Sequence, residues 1–235
     1  ALPISIPGVE NVDYWTHRDA LDNKEVPASL TIVGGGVIGM EFASFFTSLG
    51  VQVTVVEMLD EILGGMDKEL SAMLRAEYAK KGIKFLLSTK VVEVSKGETG
   101  ITVSYENADG AGTVTADKLL MSVGRRPVTK GFGLENLNLE WTERRCIKVD
   151  EHLQSSVPGV YVCGDLNGVS LLAHTAVREA EVAVHHITGK EDAMSYRAIP
   201  GVVYTNPEIA GVGMSEEALQ AAGIPYRAEI GRAHV

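Results

Sequence analysis

The chain has 235 residues, enough for one large domain or two smaller ones at roughly 150 residues each. Apolar residues make up 45% and charged residues 22%, which excludes a disordered chain. With 21 basic against 31 acidic residues the net charge is −10, and no run of Lys and Arg exceeds two, so a general attraction for nucleic acid or anionic lipid is excluded.

Residues 1–27 are irregular, punctuated by Pro3, Pro7-Gly8 and Pro27, with one short helix expected over Asp19 to Asn23. The start, Ala-Leu-Pro-Ile-Ser-Ile-Pro, carries no basic residue ahead of an apolar core and so does not read as a secretory signal. Residues 26–56 hold a single charge, Glu41. A membrane span needs about 20 apolar residues, but glycines at 34, 35, 36 and 39 would break one. The stretch reads instead as a buried strand (Leu30 to Val33), a glycine turn and a helix from Val37 to Leu49 stopped by Gly50. Val51 to Val56 is a second strand ending at Glu57.

Asp67 to Lys81 reads as a helix stopped by Gly82, and Ile83 to Leu87 as a third buried strand. Residues 89–95, 101–106 and 112–116 alternate between turns and predict an inserted β-meander. Leu119 to Val123 is a further strand, closed by Gly124-Arg125-Arg126-Pro127. Residues 128–156 are loop-rich; Val160 to Cys163 predicts a strand, and Leu172 to Ile187 a helix stopped by Gly189. Residues 195–213 suggest a strand entering a new domain, and Ser215 to Ala222 a capped helix. Cys146 and Cys163 stand in no CxxC or metal-ligand spacing and read as structural thiols, and no metal site is expected. The missing initiator Met and the terminal Gly-Arg-Ala-His-Val suggest a fragment of a longer protein with a few vector-derived residues.

Gly34-Gly35-Gly36-Val37-Ile38-Gly39 fits G-x-G-x-x-G between a strand and a helix, with an acid, Glu57, at the end of the next strand. Together these are the conditions for a dinucleotide fingerprint. Gly34 permits the tight turn, Gly36 admits a pyrophosphate, and Gly39 lets helix and strand pack closely. The helix N-terminus offers free N–H groups to phosphate. Glu57 would accept the adenosine ribose hydroxyls and repel a 2′-phosphate, and residues 51–67 contain no Lys or Arg, so NAD is favoured over NADP. Glu41 has two open readings, a helix-capping carboxylate or a ligand to the nicotinamide carboxamide. Gly164-Asp165 is either a plain turn or a close-approach glycine followed by a hydroxyl acceptor.

The ordered run Gly34–Glu41, Glu57, Gly124-Arg125-Arg126-Pro127, Val160-Tyr161-Val162-Cys163-Gly164-Asp165, Leu171-Leu172-Ala173-His174 and Tyr204-Thr205-Asn206-Pro207-Glu208 resembles the pyridine nucleotide–disulfide oxidoreductases, and among them the dihydrolipoyl dehydrogenases. The resemblance extends to about residue 228. It implies an α/β fold: a Rossmann-like NAD domain with an inserted β-meander, part of a central FAD domain, and the first elements of an α+β interface domain. The implied divisions are 1–27 (remnant of an FAD domain and linker), 28–124 (NAD domain), 125–194 (central segment) and 195–235 (start of a dimerisation domain). It places NAD on Gly34, Gly35, Gly36, Val37, Ile38, Gly39, Met40 and Glu41, with Glu57 at the ribose and Val91 and Gly124 at the adenine side. It places FAD on Asp165, at the ribitol, and along Leu171, Leu172, Ala173 and His174.

The implied activity is oxidation of protein-bound dihydrolipoamide with reduction of NAD⁺ through FAD and a redox disulfide. The implied partners are a second copy of the chain and the lipoyl-bearing proteins of 2-oxo acid dehydrogenase or glycine cleavage complexes. The implied location is the bacterial cytoplasm or the mitochondrial matrix. The chain departs from the family pattern in lacking an N-terminal FAD motif, a Cys-x4-Cys and a C-terminal His-Glu pair: His17, His152, His174, His185, His186 and His234 are none of them that histidine. No catalytic residue is therefore assigned within it. Another disulfide reductase or an NADH oxidase shares the same nucleotide motifs, and a non-catalytic dinucleotide-binding module is the reading from a different class.

Overall fold

The structure is a computed structural model that describes residues 6–231. The opening residues behind the signal reading, the terminal residues behind the vector reading, and His234 lie wholly or partly outside them. The described chain forms two compact units, residues 6–124 with 200–231, and Arg125–Ile199.

The first unit is built on a parallel sheet of β1 (Ser29–Val33), β2 (Gln52–Val56), β3 (Lys84–Leu86) and β7 (Lys118–Met121), in the order β3-β2-β1-β7. Parallel strands need crossovers. Helix α2 (Val37–Ser48) connects β1 to β2, and α3 (Lys68–Lys80) leads from β2 to β3. Short helix α1 (His17–Asp22) begins two residues before its expected start, because Thr16 and Asp19 form a capping box. Gly50 at φ +85° ends α2 as expected, and the Asp67 side chain caps α3 by accepting from the Glu69 N–H.

Leu30, Ile32, Val53 and Val55 are almost wholly buried and pack with Met40, Phe46, Leu74 and Tyr78 into the main core. Each such side chain contributes about 1.5–3 kcal/mol. Between β3 and β7 the chain makes the antiparallel meander β4 (Lys90–Lys96), β5 (Ile101–Asn107) and β6 (Gly110–Ala116), a separate three-stranded sheet. Val94, Ile101 and Val103 of the meander pack on Val33, Leu119 and Met121. β7 stops two residues before the expected end at Val123, where the chain bends. The single strand expected within 195–213 is a two-stranded hairpin, β8 (Gly201–Val203) and β9 (Ile209–Gly211), divided at Tyr204–Glu208 around Pro207, which has no N–H to donate to a ladder. Helix α5 (Glu216–Ala221) is capped by Ser215, whose hydroxyl accepts from the Ala218 N–H.

In the second unit the strand expected at Val160–Cys163 is a single antiparallel bridge, Gln154 with Tyr161. The Val157–Val160 turn precedes it and a 3-10 turn, Gly164–Leu166, follows at once, so a ladder has no room to extend. Helix α4 (Ala173–Ile187) buries Thr175, Glu179, Val182 and Ala183, one face at helical spacing, against Leu153 and Met194.

The segment after α4 is tied back by Asp192. Its carboxylate takes two hydrogen bonds from the Arg178 guanidinium, at 2.9 and 2.5 Å, and contacts His185 Nδ1 at 2.7 Å. Arg178 first, and then His185, hold this carboxyl well below the usual range. A depressed carboxyl contributes stability that is present above its unfolded pKa, about 4, and is lost as pH falls through the lower folded value. Asp192→Asn is therefore expected to lower stability above about pH 4, where the wild-type carboxylate is charged, and to flatten the loss of stability on acidification below that pH, read by circular dichroism across pH.

Candidate nucleotide sites

The parallel register aligns Val33 with Val56 and with Met121. The residues that follow these three, Gly34, Glu57 and Ser122, therefore emerge together at the carboxyl edge of the sheet. The chain leaves β1 toward β2 on one side and has β7 on the other, which makes the end of β1 a topological switch point, the usual place for a ligand crevice in such sheets. A cleft of about 490 Å³ opens there, and its walls include Gly34, Gly36, Glu57, Val91, Ser122 and Gly124.

The glycine turn is fixed by its surroundings. Gly34 has φ +104°, and a Cβ there would sit 2.6 Å from the Ser122 carbonyl oxygen. At Gly39 a Cβ would stand 2.0 Å from the Gly34 carbonyl oxygen, so α2 approaches the turn as closely as two backbones can. The Ser122 hydroxyl donates to the Gly34 carbonyl at 2.8 Å. Gly36 differs: its φ is an ordinary −71°, and nothing lies within 4 Å of a Cβ placed on it. Folding does not demand glycine at that position.

Glu57 has a structural task that its spacing does not reveal. One carboxylate oxygen accepts from the Gly35 N–H at 2.5 Å and the other from the Leu59 N–H at 2.8 Å. A carboxylate has about four lone-pair directions, so two remain for hydroxyls of a ligand. The other members of the run diverge. Val37 is exposed, Ile38 half-buried, and Met40 fully buried in the core. Glu41 lies beyond the first turn of α2, whose N-cap is Gly36, and its carboxylate accepts from the Tyr204 N–H at 3.0 Å. It caps no helix here; it holds the hairpin loop after β8.

In the second unit Gly164 has φ +72° and opens the 3-10 turn, with Asp165 exposed beside it. The Asp165 carboxylate stands 3.8 Å from the Arg125 guanidinium, a solvent-exposed pair of little energetic weight. Leu171, Leu172, Ala173 and His174 lie exposed at the start of α4, where Leu172 is the N-cap and makes no side-chain cap.

Glu179 is the residue here that the motifs do not announce. It is fully buried, and its carboxylate accepts from the Gly164 N–H and, at 2.7 Å, from the Tyr196 hydroxyl. It thereby pins the turn that carries Asp165. Its only signal in the sequence is an acid at i+4 from Thr175 on the buried face of α4. Burial first, and Glu179 second, push the Tyr196 hydroxyl far above its usual pKa and also raise the Cys163 thiol. A thiol raised in this way is not a thiolate nucleophile at neutral pH. Cys146 and Cys163 are both free, and among the described residues no cluster of His, Cys, Asp and Glu could hold a metal. No helix among them is long and apolar enough to cross a membrane.

Residues 1–180 match the family model described as pyridine nucleotide-disulphide oxidoreductase, and residues 199–235 match that family's dimerisation domain. Dihydrolipoyl dehydrogenase 3 of Pseudomonas putida is 41% identical over 229 residues, covering 96% of this chain and 49% of the relative. Dihydrolipoamide dehydrogenase of Chaetomium thermophilum is 42% identical over 227 residues, covering 94% and 45%. The chain spans about half the length of the curated relatives it matches. Among solved structures, a Cu(II) complex of the HOCl-induced flavoprotein disulfide reductase RclA from Escherichia coli superposes with a TM-score of 0.86 at 26% identity, covering 95% of this chain and 50% of that one. With a parallel switch-point sheet, a glycine turn backed by Ser122, and family matches over both segments, the chain belongs to the pyridine nucleotide-disulphide oxidoreductases.

Proposed function

We propose that the cleft at the carboxyl edge of the parallel sheet binds NAD(H), and that the parent protein is a dihydrolipoyl dehydrogenase. In this reading residues 28–124 are the NAD domain, 125–194 the central FAD segment, and 195–235 the start of a homodimerising domain. The observation that carries it is Gly36. Its backbone angles suit any residue and no protein atom would meet a side chain there. The missing Cβ is explained by a ligand that must reach the backbone, as a pyrophosphate does at the start of such a helix.

The residues of the cleft fit a dinucleotide. Free N–H groups at the start of α2 face phosphate, and Glu57 keeps lone pairs for the adenosine ribose while holding the turn through Gly35. In the second unit, the exposed Asp165 carboxylate fits a polyhydroxyl chain, and the N-terminal end of α4 favours negative charge on a ring placed against it. These residues bind and orient; the hydride and electron chemistry belongs to the nicotinamide and the flavin. The substrate assignment, dihydrolipoamide on lipoyl-bearing proteins of 2-oxo acid or glycine cleavage complexes, is supported by the names of the relatives at about 40% identity.

Calorimetric titration of the 235-residue chain is expected to show NADH bound more tightly than NADPH; equal or tighter NADPH binding refutes the assignment. Gly36→Ala is expected to change stability by no more than about 1 kcal/mol in either direction, a reduced unfolded-state entropy offsetting a poorer N-cap, and to weaken NADH binding at least about tenfold, since its methyl group would occupy the phosphate position. Gly39→Ala is expected instead to destabilise the fold, because its methyl group meets the Gly34 carbonyl oxygen at 2.0 Å. A Gly36→Ala chain with unaltered NADH affinity would remove the basis of the reading. The chain contains no Cys-x4-Cys. The purified chain, with FAD added, is accordingly expected to oxidise dihydrolipoamide at no measurable rate.

A further inference from the structure

Two charged residues line the cleft, Glu57 and Lys90. Lys90 is far from Glu57 in sequence but adjacent to it in space, because the Thr89 N–H donates to the Glu57 carbonyl at 2.9 Å. That bond delivers the first residue of β4 to the end of the cleft where the ribose acceptor stands. In the β4–β5 register Lys90 faces Glu106, yet no ion pair engages Lys90 among the described residues. An unpaired, exposed ammonium on a flexible four-carbon stem beside a ribose-binding carboxylate is in reach of whatever the ribose carries at its 2′ position.

We propose that Lys90 is a specificity-determining residue that works against Glu57: it attracts a 2′-phosphate, so it limits the preference for NAD(H) and supplies the cation for NADP(H) once the Glu57 charge is removed. The inference rests on the dinucleotide reading of the cleft. Residues 51–67 contain no Lys or Arg, so the helix-proximal side offers no alternative cation, and the counter-charge comes from the meander instead. The contact is made across solvent, so it is worth only a modest factor and is screened by salt.

The test is calorimetric titration of NADH and NADPH into wild type, Lys90→Ala, Lys90→Glu, Glu57→Gln and the Glu57→Gln/Lys90→Ala double variant, at low and high salt. Lys90→Ala is expected to lower the NADPH-to-NADH affinity ratio by about three- to tenfold, and Lys90→Glu by more, with both effects shrinking as salt rises. Glu57→Gln is expected to raise that ratio at least about tenfold, and adding Lys90→Ala to reverse most of the gain. Should the Glu57 variants lose the turn held through Gly35, the two Lys90 variants in the wild-type background still decide the matter. An unchanged ratio in Lys90→Ala and Lys90→Glu overturns the proposal. So does an equal loss for both nucleotides, which would make Lys90 a general phosphate contact. A wild-type chain that binds neither nucleotide refutes the dinucleotide reading itself, an outcome distinct from an unchanged ratio.

Discussion

The hydrogen bond from the Gly35 N–H to the Glu57 carboxylate joins two things that the fold must keep in register, the glycine turn after β1 and the acid after β2. Parallel pairing of Val33 with Val56 brings them level, and the Ser122 hydroxyl closes the other side by donating to the Gly34 carbonyl. With the turn held from both flanks, α2 can approach until Gly39 leaves no space for a methyl group. The open face of Gly36 is what remains. The cleft is thus a consequence of three strand ends meeting, and its shape is set before any ligand arrives, which lowers the ordering cost of binding.

The same carboxylate therefore serves two ends. It satisfies the part-buried Gly35 N–H, which would otherwise be costly to leave unpaired, and the exposed Leu59 N–H, and it presents its remaining lone pairs outward. A residue with both tasks is a poor place to alter specificity without disturbing the turn. Lys90 has no comparable structural burden, since it sits exposed at the start of a meander strand that lines the cleft.

The second unit repeats this logic with different parts. A buried carboxylate, Glu179, reaches from a helix to the N–H of a left-handed glycine, Gly164, and so fixes the exposed Asp165 next to it. Tyr196 completes the acceptor's needs. In both units an acid that looks like a ligand-binding or surface residue is first of all the clamp for a glycine turn.

Much was legible from residue order alone. The β-branched runs, the glycines and Glu57 mark a strand–turn–helix–strand unit because local propensity and period act over a few residues. The helices α2, α3 and α4 and the three meander strands follow from the same short-range rules. Some readings were changed by local caps and turns, and others by contacts distant in sequence. Val160–Cys163 has strand composition but only one bridging partner. Glu41 finds the Tyr204 N–H, 163 residues away, in place of a cap. Glu179 becomes a clamp through Gly164 and Tyr196, and Lys90 joins the cleft through a bond between Thr89 and Glu57. Periodicity says which face of an element is buried; it carries no information about which polar group from elsewhere will arrive there, and that is decided only when strand register and chain crossings bring the two together.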